Sequence, residues 1–430
     1  MKIGFVPIDN RPVCYTLPQQ IADIDKSLEL LLPEREWLGD LKKGSDVERI
    51  LAWLEGLGEV DALIISLDTI AYGGLIPSRR SLDSFEEVKA RLERLKSLLK
   101  GKKVYAFSSI MRISNNNINE EEKEYWAQWG KAIFEYSYIG KNCGIPAEIL
   151  EDYFATRKRN FEINKLYLEW QGLFDTLVFS KDDCAQHGWN VEEARELEAL
   201  GGFVKTGADE IPLTLLARAV SNGVKIKPVF LEPEYKDLIS NYEDISIEQS
   251  VKGQIELAGC EILEPEDLLL YINNFVGHQG EIVMKVHTEP FSGVWKPPQK
   301  PYMIADVRFA NGADNDFVKQ ITVDENFYGY SAWNTSANTL GSLICAGVVK
   351  FLAKDYDDNA FKRLQAVRFL DDWAYQANVR QELSGPDLAQ LKAKMKPYEE
   401  KVFKMLNLNG TVEYKFPWNR LFEIEVKLST

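Results

Sequence analysis

The sequence predicts an α/β protein built on parallel strands, and three observations carry that expectation. Short apolar runs recur along the 430 residues and are continuous rather than alternating, as in strands covered on both faces. Helix signals fill the segments between them. Small polar clusters, several of them rich in Asp, Asn and Gly, follow the runs, where a strand would hand over to a turn. At about 150 residues per domain the length suits two to three domains, or one barrel with an extension.

The apolar runs lie at Ile3–Ile8, Ala62–Leu67, Val104–Ile110, Thr176–Ser180, Phe203–Thr206, Val229–Leu231, Ile282–Val286 and Met303–Phe309. Ser84-Phe-Glu-Glu87 is a capping box, with Val88, Leu92, Leu95 and Leu99 at helical spacing behind it and Gly101 placed to end the helix. Asn190 is set to cap a second helix carrying Ala194 and Leu197, and Pro212 fits the first turn of a third. Residues 113–174 interrupt the rhythm with a long helical excursion opened by Ser114-Asn-Asn-Asn117 and rich in aromatics such as Trp126, Tyr153 and Trp170. It reads as helical core, or as a cap over the open end of the sheet. Beyond 346 the chain is helical to about 405, and the runs Thr411–Phe416 and Phe422–Leu428 predict a terminal hairpin. The expected organisation is therefore a β/α-barrel-like or parallel-sheet part over 1–225 with its cap at 113–174. A second, Rossmann-like β/α section follows over 226–345, either completing the barrel or standing as a smaller doubly wound domain, and a helical tail ending in a hairpin over 346–430.

Charge narrows the function classes. With 51 Lys and Arg against 66 Asp and Glu, the net charge is −15, which argues against nucleic acid and against an anionic membrane surface as partners. No apolar run approaches the roughly 20 residues of a membrane span. The first run is too short for a signal peptide, and the five cysteines show no paired spacing, so a reducing cytoplasm is the expected compartment. Oligomeric state stays open.

Ligands of α/β folds bind at the carboxyl ends of the strands, so the residues after each run are the candidate site. They include Asp9 and Arg11, then Asp68, Tyr72 and Arg79, then Arg112, then Asp182 and Asp183, then Asp209 and Glu210. Further on come Asn311, and Trp333, Asn334 and Asn338. Helix capping explains any one of these acids taken alone. Several converging on one mouth would raise one another's pKa and suit general acid work, with the arginines as balance and binding groups. No phosphate-binding glycine loop is present, no paired-His metal motif occurs among His187, His278 and His287, and no cofactor is expected. A divalent cation held by Asp68, Asp182, Asp183 and Asp209 is the alternative.

Val6-Pro-Ile-Asp-Asn-Arg-Pro12, Ser66-Leu-Asp-Thr-Ile-Ala-Tyr-Gly-Gly-Leu-Ile-Pro-Ser-Arg79, Gly207-Ala-Asp-Glu210, Asn311-Gly-Ala-Asp314, Trp333-Asn-Thr-Ser-Ala-Asn-Thr-Leu-Gly341 and Pro417-Trp-Asn-Arg-Leu-Phe-Glu423 resemble the bacterial family known as domain of unknown function 4127. That resemblance implies that the polar clusters belong to one shared site, and it implies no activity. Asn10 stands where the family pattern commonly has Asp, which removes a carboxylate there. Separately, Leu177-Val-Phe-Ser-Lys-Asp-Asp183 resembles the strand-end Asp-Asp pair of barrel N-acetylglucosaminidases with substrate-assisted catalysis. The likeness implies that Asp182 orients the substrate and Asp183 is the acid, an exception to the usual two-carboxylate scheme. The expectation is a hydrolase of a polar, sugar-like small molecule or oligosaccharide, most simply a glycoside hydrolase. Catalysis falls to Asp182, Asp183, Asp68, Asp209 and Glu210, and the remaining candidates bind. The alternatives are a metal-assisted hydrolase on the same carboxylates and a non-enzymatic small-ligand binding protein.

Overall fold

The apolar runs of the first half become six parallel strands: β1 (Lys2–Val6), β2 (Glu29–Leu31), β3 (Ala62–Ser66), β4 (Val104–Ile110), β5 (Thr176–Lys181) and β6 (Phe203–Thr206). The structure, a computed structural model, describes residues 1–142 and 144–429. The chain divides into two compact units. The first comprises Met1–Tyr15, Glu29–Leu215 and Tyr242–Asp244, and the second Thr16–Leu28, Leu216–Asn241 and Ile245–Thr430.

In the first unit the strand order is β2-β1-β3-β4-β5-β6, and every pairing is parallel. This is an open, doubly wound sheet, so of the two expected forms the parallel sheet stands and the closed barrel does not. Strands β3 and β4 are buried at every residue, which is why their sequences run apolar without alternation. The helix Phe85–Leu99 begins at the Ser84/Glu87 capping box and buries Val88, Leu92, Leu95 and Leu99. Those side chains share a core with Ile50 and Leu54, with Ile163 and Tyr167, and with Leu197. The excursion forms two helices, Trp126–Ile139 and Ala147–Glu169. The end of the second packs on the sheet core through Leu166, while Trp126, Ile133 and Tyr153 form a satellite cluster with Trp189. Most of its aromatics are therefore packing residues.

The second unit has a four-stranded parallel sheet. Its strands are β7 (Ile226–Phe230), β8 (Leu268–Asn273), β10 (Tyr302–Asp306) and β12 (Phe327–Ser331), in the order β12-β10-β8-β7. A two-residue pair, β9 (Gly280–Glu281) with β11 (Phe309–Ala310), lies beside the chain's turns. The helix Ser336–Leu352 is buried from Ser336 to Val349. A π-helical stretch follows at Phe369–Gln376, and the antiparallel hairpin of β13 (Thr411–Lys415) and β14 (Glu425–Ser429) closes the chain.

Four local expectations need correction. Ile282–Val286 is a turn: Glu281 and Val286 exchange both backbone bonds at 2.9 Å, and Lys285 has φ +57°. Gly188, not Asn190, stands at the N-cap of helix Trp189–Ala199, and Asn190 is buried inside it. The expected break at 345/346 falls inside helix Ser336–Leu352, because small and apolar residues continue through it unbroken. Strand β8, as apolar as its neighbours, and the three-residue, partly exposed β2 lie outside the expected runs.

This packing separates two classes of substitution. Phe107→Ala in β4, where Phe107 is fully buried, is expected to cost about 3–5 kcal/mol in denaturant unfolding. Ser84→Ala should cost only about 1 kcal/mol, the value of a lost cap.

Candidate functional site

The carboxyl ends of the first unit's strands carry the candidate site. After β1, Asp9 accepts from the Arg11 amide and from Arg11 Nε, both at 2.9 Å. The Arg11 guanidinium then donates to both oxygens of Asp209, which follows β6, at 2.5 and 3.1 Å. Strands β1 and β6 are four positions apart in the order, about 19 Å in a flat sheet at 4.8 Å spacing. Their loops nevertheless meet, so the carboxyl edge curls inward. Burial raises the Asp209 carboxyl, opposed by Arg11 and reinforced by Asp9.

Asp68 follows β3 on a short helix capped by Ser66. It accepts from the Ser109 amide at 2.9 Å, from the Ser109 hydroxyl, and from Ser108 Oγ at 3.2 Å. Its carboxyl is pushed up to about 6 by burial, which outweighs these bonds and the field of Arg79. Behind it, Asn164 accepts from Ser108 Oγ at 2.8 Å and donates to the Ser109 carbonyl at 3.2 Å.

Asp182 and Asp183 follow β5. Successive strand residues point to opposite faces, but Asp183 has φ +35°, a left-handed conformation that costs a non-glycine residue of order 1 kcal/mol. Both carboxylates reach one nitrogen, Arg112 Nη1, at 3.5 Å for Asp182 and 3.0 Å for Asp183. Arg112 also holds Glu121 at 2.8 Å and Glu122 at 2.9 Å. Arg79 faces Asp182 at 3.4 Å. Desolvation by the surrounding loops first, then the like charge of Asp182, raises the Asp183 carboxyl above the usual carboxylate range against the opposing fields of Arg112 and Arg79, and its side chain keeps 34 % exposure.

Glu210 has no open face. It is fully buried, accepts from the Ala208 amide at 3.0 Å, and sits against Gly207. A Cβ at Gly207 would fall 1.6 Å from Glu210 Oε1, and φ there is +127°. Burial pushes the Glu210 carboxyl up to about 8. Tyr72 is also buried and turns its ring to the Arg159 guanidinium at 5.0 Å, so it offers no bare platform for a sugar. Half-buried Trp189 is packed among Tyr136, Tyr153 and Phe154.

The remaining candidates belong to the second unit. Asn311 and Asn334 both have positive φ, at +57° and +59°, and the Asn311 amide donates to the Asn334 carbonyl at 2.8 Å. Asn338 donates to Thr335 Oγ1 at 3.0 Å. Trp333 is 3 % exposed and meets the Phe422 ring edge-on, so it is packed rather than presented. Asp306, at the end of β10, accepts from Asn273, from the Asp314 amide and from Tyr330.

Glu121 and Glu122 were missed by reading only the residues immediately after each run. The run of three glutamates, Glu120–Glu122, is their sequence signal. Ser108, Ser109 and Asn164 carried none, since their role exists only where β3, β4 and the excursion helix meet.

Metal-binding geometry is confined, among the described residues, to Asp9, Cys14 and Asp209, whose ligand atoms lie within 4.8 Å of one another. The Arg11 guanidinium already bridges the two carboxylates, and Arg11 Nη2 lies 3.8 Å from Cys14 Sγ. A divalent cation there would have to expel a buried guanidinium. Asp68, Asp182 and Asp183 do not join that cluster. Cys14, Cys184, Cys260 and Cys345 are buried, and no disulfide joins them. Cys143 lies outside the described residues. No helix among the described residues is long and apolar enough to cross a membrane.

Fold and site together define a doubly wound α/β protein whose first unit gathers carboxylates and guanidinium groups on the carboxyl edge of one parallel sheet. The chain belongs to the family described as "Protein of unknown function (DUF4127)", which matches residues 3–427. No curated protein and no solved structure matches it.

Two stability measurements probe this edge. Arg11→Gln strands two buried carboxylates and is expected to cost about 3–5 kcal/mol in denaturant unfolding. Glu210→Gln should do the opposite. Folded Glu210 keeps its proton up to about pH 8, whereas an unfolded glutamate releases it near 4.3. Stability therefore falls as pH rises between those values. Glutamine removes that loss, so the melting-temperature gain of the variant should grow from pH 4.5 to 8 and level off above.

Proposed function

We propose that the first unit is a hydrolase acting by general acid–base catalysis on a polar, sugar-like substrate, most simply a glycoside. The observation that carries this reading is the Asp182–Asp183 pair. Asp183 has a carboxyl raised above the usual carboxylate range, a left-handed backbone and partial exposure beside a second carboxylate, the properties of an acid that holds its proton toward neutrality. Asp182 shares its guanidinium neighbours and is the group that orients or stabilises. The resemblance of the seven residues Leu177–Asp183 to the N-acetylglucosaminidase motif implies the same two roles. Asp68, Asp209 and Asp9 are bonded to hydroxyls, amides and Arg11, and we assign them to holding the edge in shape.

A screen of chromogenic glycosides, N-acetylhexosaminides included, tests this with and without a chelator. Asp182→Asn and Asp183→Asn are each expected to lower turnover at least about 100-fold. The wild type should lose activity as pH rises above the ordinary carboxylate range, where Asp183, raised by desolvation and by the charge of Asp182, gives up its proton. Unchanged turnover in both variants rejects the reading. Loss in chelator, restored by Mg²⁺, Mn²⁺ or Zn²⁺, favours the metal-assisted alternative. A metabolite that copurifies and returns unaltered favours a binding protein.

A further inference from the structure

Arg79 is 1 % exposed and poorly bonded. Its Nε and Nη2 make no hydrogen bond. The three carboxylates it faces stand off at 3.4 Å for Asp182, 3.5 Å for Glu122 and 3.6 Å for Glu121. Well-formed guanidinium–carboxylate pairs sit at about 2.7–2.9 Å. Arg112 beside it has such bonds, with Glu121 and Glu122. The pair is thus unequal, with one cation satisfied and one buried with bonding capacity unspent, a costly state unless something uses it.

Glu121 is the movable member of the set. It lies in an irregular loop with its side chain 21 % exposed, against 5 % for Glu122 and 12 % for Asp182. Its Oε2 stands between the two cations, 2.8 Å from Arg112 Nη2 and 3.6 Å from Arg79 Nη2. No bare aromatic face is offered by Tyr72 or Trp189, as described above, so recognition on this edge falls to charge.

We propose that Arg79 and Arg112 form a carboxylate subsite, that Glu121 occupies it as an internal placeholder, and that the substrate is an anionic sugar of the uronic-acid type whose carboxylate takes the Glu121 position. The naming of a sugar rests on the hydrolase reading of Asp182 and Asp183. The exchange replaces one carboxylate by another, so the buried cations are never stripped of charge. Glu121 swings toward solvent, which its exposure makes cheap. The incoming carboxylate, free of the loop backbone, can approach Arg79 bidentately and make the bonds that Arg79 lacks. A neutral sugar has nothing with which to displace Glu121, so the placeholder also selects.

The test uses the full chain and a binding readout. Thermal melts of Glu121→Ala are recorded with sodium acetate, sodium glucuronate, sodium chloride and glucose at matched ionic strength, beside calorimetric titration of glucuronate. Acetate and glucuronate are expected to raise the melting temperature of Glu121→Ala while chloride and glucose do not. Glucuronate should bind Glu121→Ala about tenfold more tightly than wild type. Arg79→Lys, which keeps the charge and loses the fork, should weaken that binding in the same background. If Glu121→Ala does not fold, Glu121→Gln takes its place in the titration. Equal shifts by chloride and carboxylates, or glucuronate affinity indifferent to both substitutions, overturn the subsite. Glucuronate binding without turnover of any glycoside would keep the subsite and reject the hydrolase. Turnover of neutral glycosides dependent on Asp183 without carboxylate binding would do the reverse.

Discussion

The Arg11 guanidinium, clamped between Asp9 and Asp209, is the constraint on which the carboxyl edge of the first unit depends. It ties the loop after β1 to the loop after β6 across four strand positions. Three charged groups are buried together there, each at most 5 % exposed. None would tolerate that environment without the others, since an isolated buried charge costs several kcal/mol. The edge therefore assembles as a unit, and the intervening loops, with Asp68, Arg79, Arg112 and Asp182, are drawn into the same space.

That space is organised in depth. Innermost are groups whose bonds are spent on protein: Asp68 on Ser108 and Ser109, and Glu210 on the Ala208 amide. Farther out, the Asp182–Asp183 turn and the Glu121 loop share Arg112 and Arg79 and keep some exposure. Reactivity is expected where bonding is incomplete rather than where charge is densest. By that measure Asp183 and Arg79 stand apart from the buried carboxylates around them.

The second unit repeats the principle on its own sheet. Asp306 collects an amide, a side-chain amide and a phenol at the end of β10, and burial with the field of Asp314 pushes its carboxyl up to about 7. Its donors are protein groups throughout, which gives it the character of a brace. Asn311 and Asn334 serve their turns through positive φ, a conformation asparagine accepts more readily than most residues.

The sequence by itself determined the parallel-sheet architecture, because a strand buried on both faces must be apolar at every position, and the capping box at Ser84 and the terminal hairpin are written in local chemistry. It also placed Asp9, Arg11, Asp68, Arg79, Arg112, Asp182, Asp183 and Asp209 at strand ends. The tertiary structure decided which of these are spent and which remain available. Bonding partners such as Ser109 for Asp68 and Asp209 for Arg11 are 41 and 198 residues away in the chain, and no local pattern encodes them. Burial of Tyr72 and Trp333 was likewise invisible, since an aromatic residue at a strand end looks the same whether its ring is packed or bare. Hydrogen-bond saturation and solvent exposure depend on what the rest of the chain brings alongside, so they are settled only when the loops meet.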